Sequence, residues 1–197
     1  MTDPFFFGYG SLVNSGTHAY PEFHPATLPG WRRAWRRAHG RPAAFLTVVR
    51  DRSTSIDGVI ASVPGADWQA LDEREGAYAR IPAPEVRHPL PGPLDLAVYA
   101  IAERAHEDPT ERNPILLSYL DTVVQGFLTH WGRNGVDRFF ASTDGWSAPI
   151  LNDRDAPIYS RVQRTTEAER DLVDALLESV NARPFQSATP ENTWSDA

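Results

Sequence analysis

The chain has 197 residues, 41% of them hydrophobic and 23% charged, a composition that excludes global disorder. Its formal charge of −7 argues against general attraction to nucleic acid or anionic lipid. It has no cysteine, and every cationic residue is an arginine; disulfides, thiolate metal sites, a cysteine nucleophile, Schiff-base lysines and the P-loop lysine are all excluded.

The opening Met1-Thr2-Asp3-Pro4 has no basic segment of the kind that begins a signal peptide. No apolar run approaches the roughly 20 residues of a membrane span, so a cytoplasmic protein with no membrane partner is expected. Residues 5–7, all Phe, read as a short buried strand running into Gly8-Tyr9-Gly10-Ser11, where the glycines permit a tight turn. Residues 18–29, with three prolines, read as irregular. Residues 45–49 and 57–63 read as separate strands. Pro64-Gly65 ends the second, and a short helix over about 67–74 follows, with Gly76 placed to terminate it. Residues 78–88 are extended but interrupted by prolines, as at a sheet edge, and 94–102 form a further strand.

Asn113-Pro114 reads as a helix start, a cap residue followed by proline in the first turn. That helix runs to about Trp131, with Leu116, Tyr119, Leu120, Val123, Phe127 and Trp131 on its apolar stripe and Gly132 and Gly135 able to end it. Phe139-Phe140-Ala141 reads as one more strand. Residues 166–181 form a second amphipathic helix, burying Leu172, Val173, Leu176, Leu177 and Val180, with Glu167 and Glu169 suiting its dipole. Strands mostly in succession, with few helices between them, predict an α+β fold with a mixed or antiparallel sheet, compatible with a curled or barrel-like form. One domain is expected over 1–185, its core about 5–131 with a strand-and-helix extension at 137–185, followed by a polar tail at 186–197.

Three places carry candidate chemistry. A strand ending in a glycine turn, here Gly8-Tyr9-Gly10-Ser11-Leu12, exposes backbone N–H groups that can hold an anion or an oxyanion; as a bare pattern it is also an ordinary tight turn. On the short helix, Trp68, Leu71 and Glu75 share one face, so Glu75 points where the apolar residues point, whereas Glu73 lies round the helix toward water. A carboxylate aimed inward is costly without partners; the alternative is a helix-end glutamate that reaches water or an arginine. Tyr119, on the apolar stripe, is either core or a pocket residue. The six histidines show no HExxH or paired spacing, so no metal site is expected. Gly8-Tyr9-Gly10 lacks the third glycine of a dinucleotide loop. The run Trp31-Arg32-Arg33-Ala34-Trp35-Arg36-Arg37 reads as a strand or bend with solvated or acid-paired arginines, one of which could bind a substrate carboxylate.

Three motifs in order then carry a resemblance: Tyr9-Gly10-Ser11-Leu12 after the first strand, Leu71-Asp72-Glu73-Arg74-Glu75-Gly76 after the middle strands, and Tyr119-Leu120 in the long helix. Together, over about residues 5–131, they resemble the gamma-glutamylcyclotransferase superfamily. The Leu12 form of the first motif and the Arg74-Glu75 pair are similar to its glutathione-degrading branch. The resemblance implies a small, partly closed β-barrel with flanking helices and no cofactor. It implies a pocket lined by Tyr9, Gly10, Ser11 and Leu12, Glu75 as catalytic acid/base, and Tyr119 as a substrate contact. The implied reaction cyclises a gamma-glutamyl group to 5-oxoproline and releases an amine, amino acid or peptide. The substrate's own α-amine attacks, so no enzyme nucleophile is needed; one carboxylate can take a proton from that amine and return one to the leaving amine. Three other readings stay open: a non-catalytic member of the same fold that binds a small ligand, an acyl-transfer enzyme using Ser11, and nucleic-acid binding through residues 31–41. The gamma-glutamyl compound used and the oligomeric state are not fixed by the sequence.

Overall fold

Phe5, Phe6 and Phe7 are all buried, but Phe5 and Phe7 belong to one apolar cluster and Phe6 to another. Consecutive side chains of a strand point to opposite faces, so this strand has an apolar layer on each side. The computed structural model describes residues 3–186; most of the anticipated polar tail, from 187 on, lies outside the described residues. The strands are β1 (Phe5–Gly8), β2 (His24–Ala38), β3 (Phe45–Ser62), β4 (Ala79–Pro82), β5 (Leu96–Ala100), β6 (His106–Glu107), β7 (Ile115–Leu116), β8 (Thr143–Asp144), β9 (Ile150–Leu151) and β10 (Pro184–Phe185). The helices are α1 (Gln69–Arg74), α2 (Leu117–Ala141) and α3 (Glu167–Ser179).

A seven-stranded mixed sheet runs β4-β5-β1-β3-β2-β6, with β8 also paired to β2. β1 pairs antiparallel with β3 and parallel with β5. A small parallel sheet, β10-β9-β7, closes the far side. The fold is α+β, with the main sheet curled into a half-barrel. Its larger cluster joins Phe7, Leu28, Trp35, Leu46 and Val98 to Leu120, Val123 and Phe127 of α2 and to Val173, Leu176 and Leu177 of α3. The smaller cluster, on the Phe6 face, holds Leu71 of α1 with Leu12, Val63 and Tyr99, and Trp68 packs against it. The two helices that carry the candidate residues thus belong to different apolar layers.

Several expectations need correction. Residues 24–29, read as irregular, begin β2, and the segments at 45–49 and 57–63 are parts of one strand, β3. The β2–β3 register slips between Pro29 and Trp31, and residues 51–54 bulge opposite Gly30. That bulge breaks the alternation and hides the continuity. The long helix does not start at Asn113-Pro114: β7 comes first, and Asn113 Nδ2 donates to the Arg41 and Pro42 carbonyls. The α2 N-terminus is capped from afar by Asp153, which accepts from the Ser118 N–H at 2.8 Å and from its hydroxyl at 2.6 Å. Gly132, at φ +60, kinks α2 without ending it. Phe139-Phe140-Ala141 is therefore helix, not strand; Val136, Phe139 and Phe140 are buried at helical spacing. Thr166 caps α3 in a reciprocal capping box with Glu169.

Candidate functional site

At the carboxyl end of β1 the chain leaves the sheet through Tyr9-Gly10 into a 3-10 turn at Ser11–Val13. A pocket opens there. Its lining brings together residues 8–12, Leu46 of β3, Glu75 at the end of α1, Tyr78, and Tyr119 of α2. All the sequence-predicted site residues, Tyr9, Gly10, Ser11, Leu12, Glu75 and Tyr119, face this one space.

The turn is held by buried groups. Arg33 of β2 is fully buried, and its Nε donates to the Tyr9 carbonyl at 2.9 Å. Its other nitrogens donate to the Ser142 hydroxyl at 2.9 Å and to the Asp57 carbonyl. Its guanidinium lies 4.9 Å from the Phe127 ring centroid and 5.2 Å from that of Phe139. Burial pushes its pKa down to about 9, against the pull of Asp57, so it stays charged at neutral pH. The arginine from the basic-aromatic run thus supports the turn's backbone rather than meeting a ligand. Tyr9 Oη donates to the Tyr99 carbonyl at 2.6 Å, which closes the cavity against β5. A Cβ on Gly10 would lie 2.7 Å from the Tyr119 hydroxyl, so glycine is what allows the helix tyrosine to rest on the turn. The Tyr119 ring is itself boxed edge-on by Phe45 and Tyr159, each with its centroid 5.0 Å away.

Glu75 arrives from the opposite layer. Leu71, on the same face of α1, is fully buried and anchors the helix. The Tyr99 hydroxyl donates to Asp72, and Arg80 pairs with the same carboxylate at 3.1 Å. Glu75 is the C-cap of α1, with its side chain 17% exposed, whereas Glu73 is exposed. Arg74 Nε lies 3.3 Å from Glu75 Oε1 while its Nη1 donates to the Thr17 carbonyl at 2.9 Å. Burial raises the Glu75 pKa above the ordinary glutamate value; Arg74, Arg161 and Arg41 oppose that rise without cancelling it. The carboxylate is therefore held between a neutral, tyrosine-rich cavity and a cationic rim.

That rim belongs to a second cavity, which shares Ser11, Glu75, Tyr78 and Tyr119 with the first and adds Arg41, Phe45, Tyr159, Ser160 and Arg161. The sequence reading missed these residues, and it missed Tyr78, whose hydroxyl donates to the Leu46 carbonyl at 2.9 Å. Only Tyr78 had a local signal, being three residues after Glu75; the others reach the site through long-range folding. Two open readings lose support. The Ser11 hydroxyl lies 3.4 Å from Arg74, and no histidine hydrogen-bonds it among the described residues, so the serine lacks a base of the usual kind. Trp31 and Trp35 are buried, and Arg32 and Arg37 pair with Asp144 and Glu107, so that run offers no open stacking surface. Among the described residues no group of three or more His, Asp or Glu is placed to hold a metal ion, and no helix is long and apolar enough to cross a membrane.

A solved structure described as a gamma-glutamyl cyclotransferase aligns with a TM-score of 0.57 at 15% identity, covering 88% of this chain and 99% of its own. An uncharacterised protein from Homo sapiens aligns with a TM-score of 0.58 at 15% identity, with the same coverages of 88% and 99%. YkqA from Bacillus subtilis aligns with a TM-score of 0.54 at 16% identity over 70% of this chain and 53% of its own. These likenesses establish a shared fold. No curated protein matches the sequence. The family model for gamma-glutamyl cyclotransferase, AIG2-like, matches residues 6–118, a span that contains the β1 turn and Glu75, and the chain belongs to that family.

Proposed function

We propose that the chain is a gamma-glutamyl cyclotransferase that converts a gamma-glutamyl amide into 5-oxoproline and a free amine, with Glu75 as its acid and base. The observation that carries this reading is the meeting of a half-buried carboxylate of raised pKa with the β1 turn around one cavity. A gamma-glutamyl group folded back on itself brings its α-amine to its γ-carbonyl, and enclosure holds that conformer. Glu75 takes a proton from the α-ammonium; the freed nitrogen attacks the carbon of the γ-carbonyl, and the carbonyl electrons move to oxygen. Residues 10–12 of the turn line the cavity, and backbone N–H groups at such a turn suit that oxyanion. Collapse of the intermediate breaks the old C–N bond. The leaving nitrogen takes the proton from Glu75, and the lactam nitrogen sheds its surplus proton to solvent. A carboxylate whose pKa is raised by burial is a stronger base for the first half, and it holds the proton it has taken until the leaving nitrogen receives it. Tyr9, Gly10, Ser11, Leu12 and Tyr119 are read as substrate contacts.

The test is to incubate the purified protein with glutathione, several gamma-glutamyl amino acids and several gamma-glutamyl amines and to quantify 5-oxoproline by mass spectrometry. Stoichiometric release of 5-oxoproline and amine from at least one compound is expected. Saturable binding of these compounds with no release from any would instead identify a non-catalytic ligand-binding member of the fold.

A further inference from the structure

The two cavities that meet at Glu75 differ in charge. The inner one is walled by the turn, Leu46 and tyrosines, with no guanidinium. The outer one carries Arg41, Arg74 and Arg161. Arg74 is engaged by Glu75 and the Thr17 carbonyl. Arg41 and Arg161 act on Glu75 only through the cavity and have no side-chain hydrogen bond or salt bridge among the described residues, whereas Arg32, Arg37, Arg138 and Arg154 all sit on carboxylates. In a chain of net charge −7, two unpaired guanidiniums facing one concavity mark a place for an anion.

Both backbones are fixed while the side-chain ends stay available. The Arg41 carbonyl accepts from Arg37 Nε at 2.8 Å and from Asn113 Nδ2 at 3.4 Å. Arg161 follows Tyr159, whose ring packs on Tyr119. Two residues further on, the Gln163 N–H donates to Thr122 Oγ1 at 3.2 Å and Gln163 Nε2 to the Gly16 carbonyl at 3.1 Å. A guanidinium fork matches a carboxylate in two parallel hydrogen bonds.

We propose that Arg41 and Arg161 form a second anion site that receives a free carboxylate on the leaving group, so that this chain selects gamma-glutamyl amino acids and peptides over gamma-glutamyl amines. The assignment rests on the reading above, in which the gamma-glutamyl unit occupies the inner cavity with its amide nitrogen at Glu75. The leaving group then projects past Glu75 into the outer cavity, where the arginines stand. An uncharged amine tail would leave both guanidiniums unanswered there.

The experiment compares gamma-glutamyl-alanine with gamma-glutamyl-ethylamide in the wild type, Arg41→Gln and Arg161→Gln. The wild type is expected to favour the alanine compound by about tenfold or more in kcat/KM, the worth of one charge-assisted hydrogen bond. Each variant is expected to lower that ratio by about tenfold, mainly through KM, with Arg161→Lys restoring part of it. Equal use of both substrates by the wild type, or an equal fall for both in the variants, overturns the assignment. If neither compound is cyclised, the failure lies with the catalytic reading, and the arginines are judged by calorimetric binding of glutathione against its C-terminal amide. Preference for the free acid that disappears in the variants supports the site; equal binding, or no binding of either, overturns it.

Discussion

The inner and outer cavities share Glu75 but are built in different ways. The inner one stands on a sheet strand and is braced by fully buried groups: Arg33 under Tyr9, Tyr9 on the Tyr99 carbonyl, Leu71 under α1. The outer one is assembled from the β2–β3 connection and the loop after β9, with Ser160 and Arg161 exposed. Chemistry that needs atoms placed within a fraction of an ångström belongs on the braced part. Choice among leaving groups can be left to loop side chains, whose replacement disturbs nothing beneath. On the proposed function, burial separates the reaction from its selectivity.

Substitutions sharpen that contrast. The largest effect on the fold is expected from Arg33→Met, which leaves the Tyr9 and Asp57 carbonyls and the Ser142 hydroxyl without their buried donor. A loss of about 3 kcal/mol or more in urea unfolding is expected, with activity falling as the turn loosens. The matching change under the outer cavity, Gln163→Ala, removes two exposed hydrogen bonds, to the Gly16 and Arg161 carbonyls, and should cost less than about 1 kcal/mol. Equal losses from the two would erase the distinction drawn here.

Next in size is Gly10→Ala. Its methyl would sit 2.7 Å from the Tyr119 hydroxyl, and Tyr119 cannot retreat through Phe45 and Tyr159. A shift of the turn by a fraction of an ångström should lower kcat/KM about 100-fold, with a smaller change in stability. Tyr119→Phe alone should weaken activity without unfolding the protein, and joined to Gly10→Ala it should recover part of the loss by removing the clashing oxygen. Strict additivity of the two changes would show that the contact does not matter.

The smallest expected effect tests the electrostatics. Burial raises the Glu75 pKa, so the folded state holds that proton more tightly than the unfolded chain. The resulting penalty is absent below the ordinary glutamate pKa, grows as pH rises toward the folded-state value, and is constant above it. Glu75→Gln should therefore raise Tm by roughly 1–3 °C at neutral pH, an advantage that vanishes as pH falls below about 4. A variant less stable than the wild type at neutral pH would mean that the pairing with Arg74 outweighs burial.

How much was legible follows from how far each signal travels along the chain. The β1 turn is a local pattern of strand and glycine, and the inward aim of Glu75 follows from its spacing to Leu71, so both were readable. The α+β class followed from the order of elements. Arg33 was readable as a strand residue but not as the brace of the turn, since it meets Tyr9 only through the sheet. The arginines of the mouth lie far apart in sequence, and Arg161 is placed by contacts to Thr122 and Gly16 that no local rule foresees. Phe139 and Phe140 were misread because a short aromatic run fits strand and buried helix alike, and the kink at Gly132 looked like an end.

The central claim is that one carboxyl, at position 75, moves the protons of the reaction. Its most direct test is kcat for 5-oxoproline release by the wild type and Glu75→Gln, side by side on the best substrate of the panel, with circular dichroism confirming that both are folded. The account predicts a fall of about 100-fold or more in kcat with substrate binding retained; a folded variant that cyclises substrate at the wild-type rate would contradict it.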